Sequence, residues 1–258
     1  YKVVRKINAT RTELAYTTSR KNPEKLKKFI NKSIDKYAGE DFPIDRDPHF
    51  TPPYNPWDQR LCLSPDGDFF AAIKAGDADV VTDHVDHFDA DGIVLESGDR
   101  LDADIIVTAT GLSLLALGGV TPVVDGEAID IADTFTYKGF MYSGVPNLAT
   151  VFGYINASWT LRADLIAKYV CRILAQMDDH DASRAMPVAP EGLPERPYID
   201  DFPAGYMQRR IHEFPKQSDR DPWTASQSYK YDLKTLLGPD AEIDDGVLEF
   251  SSPVPAET

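Results

Sequence analysis

Apolar residues first fall into a helical rhythm near the N-terminus. Leu26, Phe29, Ile30 and Ile34 are spaced i, i+3, i+4 and i+8, the stripe of an amphipathic helix, within a stretch from 12 to 37 that holds few turn formers. Pro23 suits the first turn of that helix, where a missing N–H costs nothing. The rhythm stops at 41–57, which is dense in proline and aromatic residues (Phe42, Pro43, Pro48, Phe50, Pro52, Pro53, Tyr54, Pro56, Trp57) and predicts an ordered but irregular loop. From 61 the pattern turns to strands. The β-branched run 80–85 is one, and Ile93-Val94-Leu95, between Asp91-Gly92 and Ser97-Gly98, is another. A third, 103–108, is a short apolar run ending in Ala109-Thr110-Gly111, as expected of a strand buried on both faces. Gly111 at its exit permits close backbone approach by a neighbour or cofactor.

A second run of this kind spans 147–154, after the turn Gly144-Val145-Pro146. It leads through Asn156-Ala157-Ser158 into a long helix, because Trp159, Ile166, Tyr169, Val170, Ile173, Leu174 and Met177 keep helical spacing and Asn156 or Ser158 can serve as N-cap. Beyond Asp178-Asp179-His180 the chain becomes irregular. Seven of its nineteen prolines lie between 187 and 222, which predicts a wrapping tail with few elements.

Composition adds bounds. With 258 residues, 42% hydrophobic and 27% charged, the chain is an ordinary globular sequence, long enough for one large domain or two modest ones. No run approaches the length of a membrane span. The start, Tyr1-Lys2-Val3-Val4-Arg5-Lys6, has neither an initiator Met nor an apolar signal core and reads as the middle of a longer protein. Cys62 and Cys171 fit no zinc or redox spacing, which makes a reducing, cytoplasmic location the expectation. Charge is unevenly spread: residues 1–40 hold eleven Lys/Arg against four Asp/Glu, so of the net −15 the other 218 residues carry −22. So acidic a body argues against a nucleic-acid partner, whereas the basic segment is either an anion site or a solvated helix surface.

Tested for chemistry, the residues alone give little. No two of the sixteen glycines are spaced as GxG, so the dinucleotide fingerprint is absent, and no P-loop, HExxH, GxSxG or EF-hand loop occurs. His84 and His87, three apart on a predicted strand, face opposite sides and make a poor metal pair, so no metal site is expected. Two features remain. The helix N-terminus after 147–154 offers unpaired N–H groups and a positive dipole end to an anion or carbonyl oxygen, a unit equally at home in any α/β fold. Arg60, between the rigid loop and the apolar Leu61-Cys62-Leu63, either stabilises developing negative charge in a dry site or pairs structurally with Asp58 or Asp68.

Several blocks carry a resemblance: HFTPPYNPWDQRLC (49–62), VVTDH (80–84), DADIIVTATGL (102–112), YKGFMYSGVPNLATVFGYINASWTLRADL (137–165) and PKQSDRDPW (215–223). They resemble the class B flavoprotein monooxygenases, of the Baeyer–Villiger and flavin-containing monooxygenase kind, and in particular the branch of the ethionamide-activating monooxygenase. The Ala-Thr-Gly motif is shared by many flavoproteins, and NPWDQRLC and GYINASWTL are the telling blocks. The resemblance implies an α/β fold, an incomplete two-dinucleotide-binding (FAD and NADPH) architecture with a Pro-rich C-terminal extension, of which this is the C-terminal half. On that mapping 1–50 is the helical segment of the NADPH domain, 51–111 its closing strands, 112–180 the C-terminal part of the FAD domain, and 181–258 the extension.

The implied chemistry is reduction of FAD by NADPH, addition of oxygen at flavin C4a, and oxygenation of a small-molecule ketone or soft nitrogen or sulfur centre by the peroxyflavin. Arg60 aligns with the arginine that stabilises that anion. Gln59 stands where relatives carry Lys, which bears on the choice between NADPH and NADH. Ala109, Thr110 and Gly111 would form the hinge at the cofactor, while Gly153, Asn156, Ser158, Trp159, Thr160 and Leu161 would meet the flavin, with backbone N–H groups at its carbonyl edge. The missing fingerprints imply that the other half of the enzyme is the partner that anchors FAD through its pyrophosphate, and that the isolated chain oxidises little NADPH; the alternative is a non-catalytic remnant that binds a partner.

Overall fold

The computed structural model describes residues 2–62, 64, 66–239, 241–243 and 246–252. They form two compact units, one of 18–112 and the other of 1–17 with 113–258. The architecture is mixed α/β, built on helices and small antiparallel sheets. Among the described residues no helix is long and apolar enough to cross a membrane.

The predicted amphipathic helix is α2 (Pro23–Ala38), which starts at Pro23 as expected, and a further helix, α1 (Lys2–Lys21), precedes it. Asn22 makes the break: its side chain accepts from the Lys25 N–H at 3.1 Å, and Pro23 takes the first helical position as its fixed φ favours. Of the apolar stripe, Leu26 is buried, whereas Phe29 stays 66% exposed. The loop 41–57 is irregular, as expected, and Phe42 and Phe50 order it by packing on Phe70, their ring centroids both 5.9 Å away.

Phe70 belongs to α3 (Asp68–Ala75), a helix in a region where strands are expected. Gly67 and Gly76 bracket it, both in the left-handed conformation that glycine adopts without strain. The expected strand at 80–85 begins only at Val85: β1 (Val85–Phe88), β2 (Gly92–Leu95) and β3 (Arg100–Asp102) form an antiparallel meander in that order. Arg100 draws its turns together through Asp89, Asp91 and Asp102 at 2.8–3.0 Å.

The run 103–108 is not a buried strand. Its Ala103 N–H reaches the Asp91 carbonyl at 3.0 Å, but the run joins no strand ladder among the described residues, and Ile105 and Val107 are each 81% exposed. An apolar run has the composition of a central strand, but becomes one only where neighbours flank it on both edges.

In the other unit β4 (Val123–Val124) and β5 (Glu127–Ala128) make a hairpin around Asp125-Gly126. Next, β6 (Thr136–Tyr137) pairs with β7 (Met141–Tyr142). The expected strand 147–154 likewise joins no ladder among the described residues. Thr150 donates to the Phe140 carbonyl at 2.8 Å, Val151 is 46% exposed, and only the end of the run, Gly153-Tyr154, is buried. Helix α4 (Trp159–Asp179) follows where predicted and buries Leu161, Arg162, Leu165, Ile166, Tyr169 and Ile173; Trp159 and Leu174 remain about half exposed, at 47% and 53%.

The tail is richer than predicted. It contains β8 (Arg184–Pro187), β9 (Arg196–Pro197), α5 (Gly205–Gln208), β10 (Lys216–Gln217), α6 (Tyr229–Leu237) and β11 (Leu248–Ser251). β8 pairs with β11 and β9 with β10, so prolines 187 and 197 lie in two-stranded ribbons, where a missing donor is tolerated. Leu193, Trp223, Leu236, Ile243 and Leu248 close over Leu165, Ile166, Tyr169 and Ile173 in the main core. Ile155 joins a second cluster with Tyr198, Ile199, Phe202 and Phe214. The tail is therefore half of this unit's core.

Candidate functional site

The turn entering α4 is the most defined of the expected site segments. Gly153 is buried beneath Trp159, and a Cβ at Gly153 would lie 2.1 Å from Cγ of that indole. Trp159 also packs on Phe152, ring centroids 5.3 Å apart. Asn156 is buried and Ser158 is the N-cap. Ser158 does not cap with its side chain, and its Oγ lies 2.8 Å from the Thr160 hydroxyl instead. The Leu161 N–H reaches the Ser158 carbonyl at 3.1 Å, while those of Trp159 and Thr160 find no acceptor among the described residues. A helix start left open in this way suits a carbonyl or anionic group, so the residues present fit the edge of a flavin. Beside it opens a cleft of about 510 Å³ walled by Leu115, Leu117, Val151, Phe152, Trp159 and Phe214.

Beneath the turn lies a polar knot that sequence reasoning missed. Arg162, wholly buried, stands on the same face of α4 as Ile166, Tyr169 and Ile173. Its Nε is 3.4 Å from Asp232 Oδ2, and its guanidinium lies over the Tyr154 ring at 5.4 Å. The Tyr154 hydroxyl donates to the same Asp232 oxygen at 2.6 Å. Burial pushes the Asp232 carboxyl above its ordinary 3.8, against the pull of Arg162 and hydrogen bonds from Tyr154 and Ser226. The rise outweighs the attraction of Arg162, whose guanidinium makes no hydrogen bond among the described residues to repay the desolvation. Burial likewise raises the Tyr154 phenol, with Asp232 adding to it. Gly139 makes room for the guanidinium: its φ is +74°, and a Cβ there would lie 2.2 Å from Arg162 Nη2. A cation on an otherwise apolar helical stripe was the available signal.

In the unit of 18–112, Gln59 and Arg60 end a tight loop. Trp57 has φ 72°, a conformation rare for a bulky residue, and Asp58 N–H bonds back to the Asn55 carbonyl at 3.0 Å. Arg20 anchors the loop, reaching Asp58 Oδ1 at 2.8 Å and the Trp57 carbonyl at 3.0 Å. Asp58 thus pairs with Arg20, and its second oxygen accepts from the Asn55 N–H at 3.1 Å. Arg60 is exposed at a cleft of about 200 Å³ shared with Lys27, Asn31, Tyr54, Trp57 and Cys62. Ala109, Thr110 and Gly111 are exposed as well, Gly111 with φ 110°. His87 pairs with neighbouring Asp86 at 2.8 Å, and no cluster of metal-ligating side chains occurs among the described residues.

No family model matches the chain. No solved structure matches it either. Curated proteins do. The chain is 44% identical over 252 residues to the FAD-containing monooxygenase EthA of Mycobacterium tuberculosis, covering 97% of the chain and 50% of that protein. It is 43% identical over 252 residues to a probable FAD-binding monooxygenase, AlmA, of Acinetobacter baylyi, covering 97% and 49%. To the putative FAD-containing monooxygenase MymA of Mycobacterium tuberculosis it is 37% identical over 253 residues, covering 98% and 50%. The similarity is thus to FAD-containing monooxygenases, and the chain spans about half the length of the curated relatives it matches.

Proposed function

We propose that these residues are the C-terminal portion of an FAD- and NADPH-dependent monooxygenase that oxygenates a ketone or a soft nitrogen or sulfur centre. The observation that carries this reading is the uncapped start of α4, entered over a glycine buried beneath Trp159, in a chain similar over 97% of its length to FAD-containing monooxygenases. Bound FAD supplies the redox chemistry, taking electrons from the nicotinamide and passing them to dioxygen. This chain's residues supply electrostatics around it. The N–H groups of Trp159 and Thr160 would meet a carbonyl oxygen and favour negative charge on the reduced ring, since the helix dipole is positive there. Arg60 would stabilise negative charge developing at the oxygen-reacting face. Gln59, Ala109, Thr110 and Gly111 would lie against the cofactors. The runs 103–108 and 147–154, which have the composition of central strands yet join no strand ladder among the described residues, support a fold completed by strands of a nucleotide-binding half.

The test is made in the protein at the full length of its relatives, loaded with FAD. Arg60→Ala is expected to leave NADPH-driven flavin reduction near the native rate while product formation falls by about a hundredfold or more, the scale of losing one pre-organised charge stabiliser. Product formation at near-native rate in that variant overturns the assignment of Arg60. Absence of bound flavin from the unsubstituted protein overturns the function.

A further inference from the structure

We propose that Gln227 and Asp232, in the C-terminal segment, are positioning residues that hold the turn 154–158 and thereby aim the first N–H groups of α4; this rests on the reading that those groups face the flavin. Neither a strand ladder nor a side-chain cap among the described residues fixes the turn, since the run before it joins no such ladder and Ser158 gives α4 no side-chain cap. Three consecutive residues are instead tied to one short segment far along the chain. The Tyr154 hydroxyl donates to Asp232 Oδ2 at 2.6 Å. The Ile155 N–H donates to Gln227 Oε1 at 2.9 Å. Asn156 Nδ2 donates to the Gln227 carbonyl at 3.1 Å.

The arrangement closes on itself. Arg162, one turn into α4, approaches the same Asp232 oxygen that Tyr154 uses, so residues before and after the turn converge on one atom. The gripping segment is itself fixed, because Ser228 caps α6 by accepting from the Tyr231 N–H at 3.3 Å and the buried Leu236 of α6 packs in the core of α4. Ile155 and Asn156 are each only 8% exposed, so water does not readily replace these bonds. A helix start aimed at a reacting ring must hold its direction closely, since displacements on the order of 1 Å cost catalysis heavily. Gln227 and Asp232 therefore act on the flavin through the turn, without touching it.

Two measurements separate the clamp from the reading beneath it. In the 258-residue chain, Gln227→Ala is expected to speed amide hydrogen exchange at Ile155 by about tenfold, the worth of one hydrogen bond to a buried donor, with exchange in the middle of α4 unchanged. Gln227→Glu, which keeps the Oε1 acceptor, should restore protection, and Tyr154→Phe should loosen the same turn from its other side. In the FAD-loaded protein at the length of its relatives, Gln227→Ala and Tyr154→Phe should both shift the flavin midpoint potential to more negative values. Unchanged exchange at Ile155 overturns the clamp. Faster exchange with an unmoved potential leaves the clamp standing and overturns the placement of this helix end at the flavin. Faster exchange with a lowered potential in both variants supports the whole inference.

Discussion

Replacing Gly153 by Ala adds one methyl group where the indole of Trp159 already sits. The new Cβ would lie 2.1 Å from Cγ and 2.4 Å from both Cδ1 and Cδ2 of that ring. Those atoms are at the root of the side chain, so a small swing of the ring tip relieves nothing. Trp159 must change rotamer or the turn must open. Trp159 is 47% exposed, so it has somewhere to go, and what it loses is its contact with Phe152. Inserting a methyl into a packed site of this kind costs about 1–3 kcal/mol. For a chain of this size each kcal/mol moves the melting temperature by roughly 2–4 °C, so Gly153→Ala should melt about 2–12 °C lower.

The assay is urea unfolding of four proteins: the native chain, Gly153→Ala, Trp159→Ala and the double variant. Trp159→Ala alone removes a half-exposed ring and should cost about 1–2 kcal/mol in lost burial. In its background Gly153→Ala meets no indole, so the second substitution should be nearly free, with a coupling of about 1–3 kcal/mol between the two positions. The denaturant slopes should stay equal, since the packing changes and the extent of unfolding does not. Additive losses, or a Gly153→Ala variant as stable as the native chain, would falsify the claim that Gly153 is glycine because of Trp159.

Two predictions concern pH. The Tyr231 phenol is pushed up to about 12, chiefly by burial and then by its hydrogen bond to Asp221. A raised folded value means that the unfolded chain ionises first, so this contribution is fully present below the ordinary 10.0 and lost as pH rises toward 12; a phenolate absorbance titration should lose one late-titrating group in Tyr231→Phe. Asp164 is held below its ordinary 3.8 by hydrogen bonds from Lys168 and then Arg5, so its contribution is present above 3.8 and lost as pH falls through the lower folded value. Asp164→Asn should remove that part of the acid dependence of the melting temperature and speed exchange in the first turns of α1, which Arg5 ties to Asp164 at 2.9 Å.

What the sequence made legible is what local physics decides. The second helix could be read from Leu26, Ile30 and Pro23, and α4 from its stripe, because propensity, capping and periodicity act within a few residues. Strand assignment failed where pairing decides. The apolar run around Ile105 and Val107 carries the composition of a buried strand, yet composition says nothing about whether a neighbour is present, and the run stays exposed. The tail was underestimated for a related reason. Its β8–β11 ribbon joins 184–187 to 248–251, and two four-residue strands that far apart leave no period to detect.

The candidate site divides along the same line. Asn156, Ser158 and Trp159 could be named because a helix start announces itself, whereas Gln227 and Asp232 stand 72 and 78 residues from the groups they hold and resemble any polar residue of an irregular segment. Arg162 is the instructive case. A cation at the i position of a stripe that continues through Ile166, Tyr169 and Ile173 must be buried, and a buried cation needs an anion or a ring beside it. That much follows from the sequence. With forty-two Asp and Glu to choose from, the choice of Asp232 does not, because it depends on where α6 docks. The stripe predicts that a partner exists, and only the fold selects it. The residues that steady a helix start are for that reason the ones to look for at the far end of the chain.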